Sequence, residues 1–132
     1  MIIMKIQEHI NYWLKSAAHD LEAAETLFDQ GRYDWSLFLG HLVIEKTLKA
    51  FYVRDNQNQA PPFTHNLSII ASYINLSLTA DQENLLLELN QFNLRTRYPD
   101  YKLDFYKKCT FQFTEPYFLK VKELYKWLLR QI

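Results

Sequence analysis

A chain of 132 residues, 48% hydrophobic and 16% aromatic, carries enough apolar material to bury one core without disulfides or metals. Fifteen basic residues balance fifteen acidic ones. That balance excludes the cationic surface of a protein that grips long nucleic acid nonspecifically, so any such contact must come from a local patch. Two glycines and four prolines are too few breakers for a turn-rich β architecture.

Residues 5–30 carry an apolar stripe at spacings of three and four, Ile6, Ile10, Trp13, Ala17, Leu21, Ala24, Leu27 and Phe28, which predicts a first helix. Gly31 supplies its stop. A second helix is expected over about 32–54. It is apolar almost all round, with Trp35, Leu37, Phe38, Leu39, Leu42, Val43, Ile44, Leu48, Phe51 and Val53, and such a helix belongs at the centre of a bundle. Pro61 and Pro62 then exclude helix from a polar loop. Thr64 is expected to cap a short third helix, with His65 and Asn66 in its polar first turn. A fourth helix starts at Thr79 or Asp81, shows Leu85, Leu86, Leu89 and Phe92 on one face, and ends before Pro99. Residues 98–113 read as a long connection whose six aromatics, Tyr98, Tyr101, Phe105, Tyr106, Phe111 and Phe113, argue for an ordered segment. Thr114 and Pro116 mark the start of a last helix with Phe118, Val121, Tyr125, Leu128 and Ile132 on its stripe. The expected fold is all-α, an up-and-down antiparallel bundle of four to five helices forming one domain over residues 1–132.

One cysteine, Cys109, permits no intrachain disulfide, which suits a reducing cytoplasm. The apolar stretch in the N-terminal MIIMKIQEH is too short for a signal peptide, and no run reaches the ~20 apolar residues of a membrane span. Low net charge leaves little repulsion against self-association, and a homodimer is expected.

Two places could carry chemistry. On the second helix His41, Glu45 and Lys49 recur at i, i+4 and i+8, a polar row on a helix that is otherwise core; the alternative is a surface Glu45–Lys49 pair with His41 hydrogen-bonded nearby. No second ligand pair supports a metal at His41 and Glu45, and no cofactor motif is present. At the end of the fourth helix, Arg95 and Arg97 precede Tyr98, Pro99, Asp100, Tyr101 and Lys102. Guanidinium forks suit phosphates, and neighbouring rings could stack on a base; the alternative is that the arginines close the helix and the aromatics pin the chain to the core.

In order, the chain presents Trp13, the segment Ala17-Ala18-His19-Asp20-Leu21-Glu22-Ala23-Ala24, Gly31-Arg32-Tyr33, Glu45-Lys46-Thr47-Leu48-Lys49-Ala50, Thr64-His65-Asn66-Leu67 and Arg97-Tyr98-Pro99-Asp100. Over about residues 10–130 this resembles the HEPN domain family of small prokaryotic helical proteins. The resemblance implies a homodimeric bundle of four or five helices, often paired with a minimal nucleotidyltransferase as a toxin–antitoxin couple. It also implies metal-independent RNA cleavage by an Arg-x(4–6)-His motif near the end of the fourth helix. Some partners of such proteins adenylylate a tyrosine just after that histidine. Here the motif arginine corresponds to Arg95 or Arg97. The histidine positions are Asp100, Tyr101 and Lys102 counted from Arg95, or Lys102, Leu103 and Asp104 counted from Arg97, and none is histidine. Asp100 and Lys102 remain the candidate substitutes for the missing acid/base. The expected site is a nucleotide- or RNA-binding cleft lined by Arg95, Arg97, Tyr98, Asp100 and Tyr101, with His41 and Glu45 from the second helix. An active ribonuclease and a non-catalytic interaction module are the rival expectations.

Overall fold

The structure, a computed structural model, describes residues 5–132; the beginning of the apolar N-terminal stretch, residues 1–4, lies outside the described residues. Six helices follow in order: α1 (Ile6–Asp29), α2 (Tyr33–Asp55), α3 (Leu67–Ser72), α4 (Ala80–Arg97), α5 (Pro99–Lys108) and α6 (Phe111–Gln131). Among the described residues there is no strand. The all-α bundle is as expected, with more helices than the four to five anticipated.

The arrangement follows from α2. Its apolar side chains point in every direction, so it must be covered on every side. It packs against α1, α3, α4, α5 and α6. Leu37, Val43, Ile44, Leu48 and Phe51 are all essentially inaccessible to solvent. Around them α4 contributes Leu85, Leu86, Leu89 and Phe92, and α6 contributes Val121, Leu124, Tyr125 and Leu128. The α1 stripe seals the remaining side through Ile10, Ala17 and Ala24. Gly31 turns the chain between α1 and α2 at φ +75°, a left-handed conformation that costs glycine nothing.

The helix ends correct three expectations. The short third helix begins at Leu67, and its cap is Asn66, whose side chain accepts from the Ser68 and Ile69 amides at 3.0 and 3.3 Å. Thr64 acts one step earlier, accepting from the Asn66 amide at 3.1 Å. Residues 98–113 are not a connection: Pro99 both ends α4 and opens α5. Proline keeps the preceding Tyr98 extended, at ψ 128°, and is itself pre-set for a first helical position whose amide would go unused. Asp100 in the first turn and Lys107 and Lys108 in the last complement the helix dipole. Finally, α6 starts at Phe111 under a Thr110 cap that accepts from the Phe113 amide at 3.2 Å. Thr114 is thus a buried position inside the helix, and Pro116 lies inside it on the exposed side. Thr79 starts α4 through a reciprocal capping box with Gln82, as the sequence suggested.

Only one residue of α5 is buried, Phe105, which stacks on Phe92 of α4 with ring centroids 5.4 Å apart. The other aromatics of this region are mostly outside: Tyr98, Tyr101, Tyr106 and Phe111 are exposed and Phe113 is half-buried. They therefore do not pin the segment to the core as the sequence suggested. Because one side chain carries the docking of α5, Phe105→Ala should cost about 3 kcal/mol in urea unfolding and open residues 98–110 to rapid proteolysis. A loss below about 1 kcal/mol would mean that α5 is held by something else.

Candidate functional site

The polar row on α2 is buried. His41 is 0% exposed, Glu45 3% and Lys49 8%. A carboxylate at that depth must be partnered, and Glu45 is partnered on both oxygens. Oε2 accepts from Lys49 Nζ at 3.0 Å, and Oε1 accepts from His65 Nδ1 at 2.7 Å. His41 Nδ1 stands 4.0 Å from the same Oε1, beyond hydrogen-bond range. The expected alternative of a surface Glu45–Lys49 pair is excluded by this burial. So is the placement of His65 in the first turn of α3, because His65 precedes the cap and reaches across to α2.

His41 links the row to α3 and α4. Its Nε2 lies 2.7 Å from the His65 carbonyl, and its Nδ1 lies 3.2 Å from Asn93 Nδ2. A carbonyl can only accept, so Nε2 carries the proton and Nδ1 accepts from the asparagine amide. The neutral ring satisfies both contacts. Burial accordingly lowers the His41 pKa to about 4, against the opposing attraction of Glu45. Asn93 passes the chain on, its Oδ1 accepting from Arg97 Nε at 2.9 Å. One connected path runs from Arg97 through Asn93 and His41 to the backbone of His65, whose ring returns to Glu45.

Arg95 faces elsewhere. Residues two apart on a helix do not share a face, and Arg95 lines a cleft between α4 and α5 of about 610 Å³ with Gln91, Leu94, Tyr98, Tyr101, Asp104, Phe105 and Lys108. The expected site residues thus divide. Arg95, Tyr98 and Tyr101 lie together in the cleft, while Arg97, His41 and Glu45 belong to the polar network. Tyr98 joins the two, since the Arg97 guanidinium sits 5.6 Å from its ring centre. Asp100 is exposed in the first turn of α5. Lys102 turns back to α2, its ammonium 5.3 Å from the Trp35 ring. Lys108, His65 and Asn93 were not singled out as site residues from the sequence. For Lys108 the only signal was its spacing of seven from Tyr101 along one helix face. His65 and Asn93 meet α2 only through the tertiary fold.

Cys109 is 6% exposed, and burial, with Asp34 nearby, pushes its thiol up to about 12, so it is not a nucleophile at neutral pH. Among the described residues no cluster of three or more His, Cys, Asp or Glu side chains is placed to hold a metal ion, and no helix is long and apolar enough to cross a membrane.

The chain belongs to the HEPN domain family, whose profile matches residues 10–132. No curated protein matches its sequence. Among solved structures it is similar to TT1696 from Thermus thermophilus. That likeness has a TM-score of 0.79 and 18% identity over 93% of this chain and 98% of the other, and it concerns the fold alone.

The His41 arrangement sets a pH dependence. Below the ordinary imidazole pKa of 6.5 the unfolded chain takes up a proton that folded His41 refuses until about pH 4. Stability is therefore fully present above pH 6.5 and falls as the pH drops from 6.5 to 4, by about 3 kcal/mol from this residue. Urea unfolding across that range should show the decline, and His41→Phe should flatten it. An unchanged slope in the variant would assign the acid sensitivity to other groups.

Proposed function

From membership of this family and the geometry of the cleft, we propose that the protein binds a nucleotide or a single-stranded RNA segment between α4 and α5. One observation supports the reading above the others. Two cationic side chains, Arg95 and Lys108, share a 610 Å³ cleft with two exposed tyrosines, Tyr98 and Tyr101. The cations offer contacts to phosphate, arginine through its planar fork. The rings offer faces on which bases stack without sequence preference. A chain of zero net charge gives such binding no long-range background, so affinity rests on this patch.

The protein acts in the cytoplasm as a homodimer together with a minimal nucleotidyltransferase, in the manner of a toxin–antitoxin pair. The apolar exposure of α5 outside the cleft supports a further protein surface there: Leu103 and Tyr106 are each more than half exposed. Patches of that kind on small proteins are commonly covered by a partner.

Two measurements test the reading. Fluorescence anisotropy with a labelled oligoribonucleotide should show binding that weakens about tenfold in Arg95→Ala, with a salt slope smaller by about one. Tyr101→Ala should cost about 1–3 kcal/mol of binding. Affinities unaltered in both variants would remove the cleft from the argument. Light scattering at micromolar concentration should report about twice the 15.9 kDa chain mass, and a monomer throughout that range would refute the dimer.

A further inference from the structure

The α4–α5 cleft holds two cations, and between its walls it also holds a carboxylate. Asp104 lines it together with Arg95 and Lys108. Where a phosphate is to be bound, an anion works against the ligand. Local structure gives Asp104 no other task. It is interior to α5, where aspartate is a weak helix former, and it caps no helix end. Asp100 stands four residues before it, a like-charge spacing that weakens a helix. Lys108 follows at i+4, but its ammonium lies over the Phe113 ring, 5.3 Å from the centre. Among the described residues no cation is within ion-pair distance of the Asp104 carboxylate and no donor bonds it. It is exposed and unengaged.

The order of groups along the α5 wall indicates what the carboxylate meets. Tyr101, Asp104 and Lys108 follow at spacings of three and four, so they form one row on the helix. The row runs ring, carboxylate, cation, over about 10 Å. A nucleoside 5′-phosphate presents its own groups in the matching order: base, ribose, phosphate. A ribose with both hydroxyls free offers two adjacent O–H donors, and an ionised carboxylate has two oxygens that only accept. Arg95 and Tyr98 line the same cleft from α4. Its volume of about 610 Å³ is that of a small-molecule site.

We propose that Asp104 recognises the free 2′,3′-diol of a ribonucleotide whose base stacks on Tyr101 and whose phosphate is held by Lys108 and Arg95. The inference rests on the nucleotide-binding reading above and narrows it to a ribose with an unesterified 3′-oxygen. A free nucleoside 5′-phosphate carries that diol, and so does the 3′-terminal residue of an RNA. Within a strand the 3′-oxygen is bonded to the next phosphate, and only the 2′-hydroxyl is left to donate. A 2′-deoxynucleotide lacks one of the two donors while its phosphate still meets the negative charge of Asp104. The same carboxylate therefore selects ribose and rejects deoxyribose.

The test measures binding to the full chain of adenosine 5′-monophosphate, its 2′-deoxy counterpart, and a 5′-labelled oligoribonucleotide ending in either a ribose or a 2′-deoxyribose. Wild type should bind the ribose form about tenfold more tightly than the deoxy form. Asp104→Ala should weaken the ribose form and tighten the deoxy form, bringing the two together, whereas loss of a negative charge alone would tighten both. Arg95→Ala should weaken both and keep their ratio. Selectivity seen with the monophosphates assigns the site to free nucleotides; selectivity confined to the oligonucleotides assigns it to RNA 3′ ends. Ribose and deoxyribose forms bound equally in both sets, or both tightened by Asp104→Ala, overturn the role of Asp104 and leave the binding reading intact. No binding of any of these ligands overturns both.

Discussion

A buried carboxylate organises this molecule. Glu45 sits on α2, the helix that the rest of the bundle is packed around, and it is 3% exposed. Removing one partner of such a group costs several kcal/mol, because its charge is then left in a poorly solvating interior. The fold meets that cost with one donor from the same helix, Lys49 at i+4, and one from outside it, His65. The second donor has a structural consequence. It ties the loop before α3 to the centre of the bundle, and with it the Asn66 cap and the short helix behind it.

The same logic continues outward. His41 is buried and must be neutral, so it donates through one nitrogen and accepts through the other. The donated bond goes to the His65 carbonyl and the accepted one comes from Asn93. Asn93, 2% exposed, offers its oxygen in turn, and Arg97 Nε donates to it. Each polar group is satisfied by the next until the path reaches solvent at Arg97 on one end and at the His65 ring on the other. A connected buried path of this kind restrains its members. Arg97 bonds Asn93 and is not a partner of Glu45, whose oxygens are taken by Lys49 and His65.

Two surfaces result. The α4–α5 cleft is shallow and mixed, with tyrosines and cations, and suits recognition. The His65 face is small and polar, with an imidazole held by a buried carboxylate. Tyr98 lies between them, lining the cleft while its ring neighbours the Arg97 guanidinium. This chain lacks a histidine within the interval after its α4 arginines.

The sequence by itself determined the long helices α1, α2, α4 and α6 and the place of α2. A stripe at spacings of three and four can be buried only as a helix, and a helix apolar on all sides can only be central. It also determined that His41, Glu45 and Lys49 share a face, since helical geometry alone sets that. The sequence reading placed Arg95 and Arg97 in one cleft, and the structure separates them, because two positions along a helix turn a side chain to the far side. What it left open were matters of distance in space. The double role of Pro99, as stop and start, is ambiguous in sequence because the features that end one helix suit the beginning of another. The meeting of Glu45 with His65, twenty residues and a loop apart, has no local signature. It was decided only by tertiary packing, because a carboxylate driven into the core by its apolar neighbours takes whichever donor the fold brings within reach.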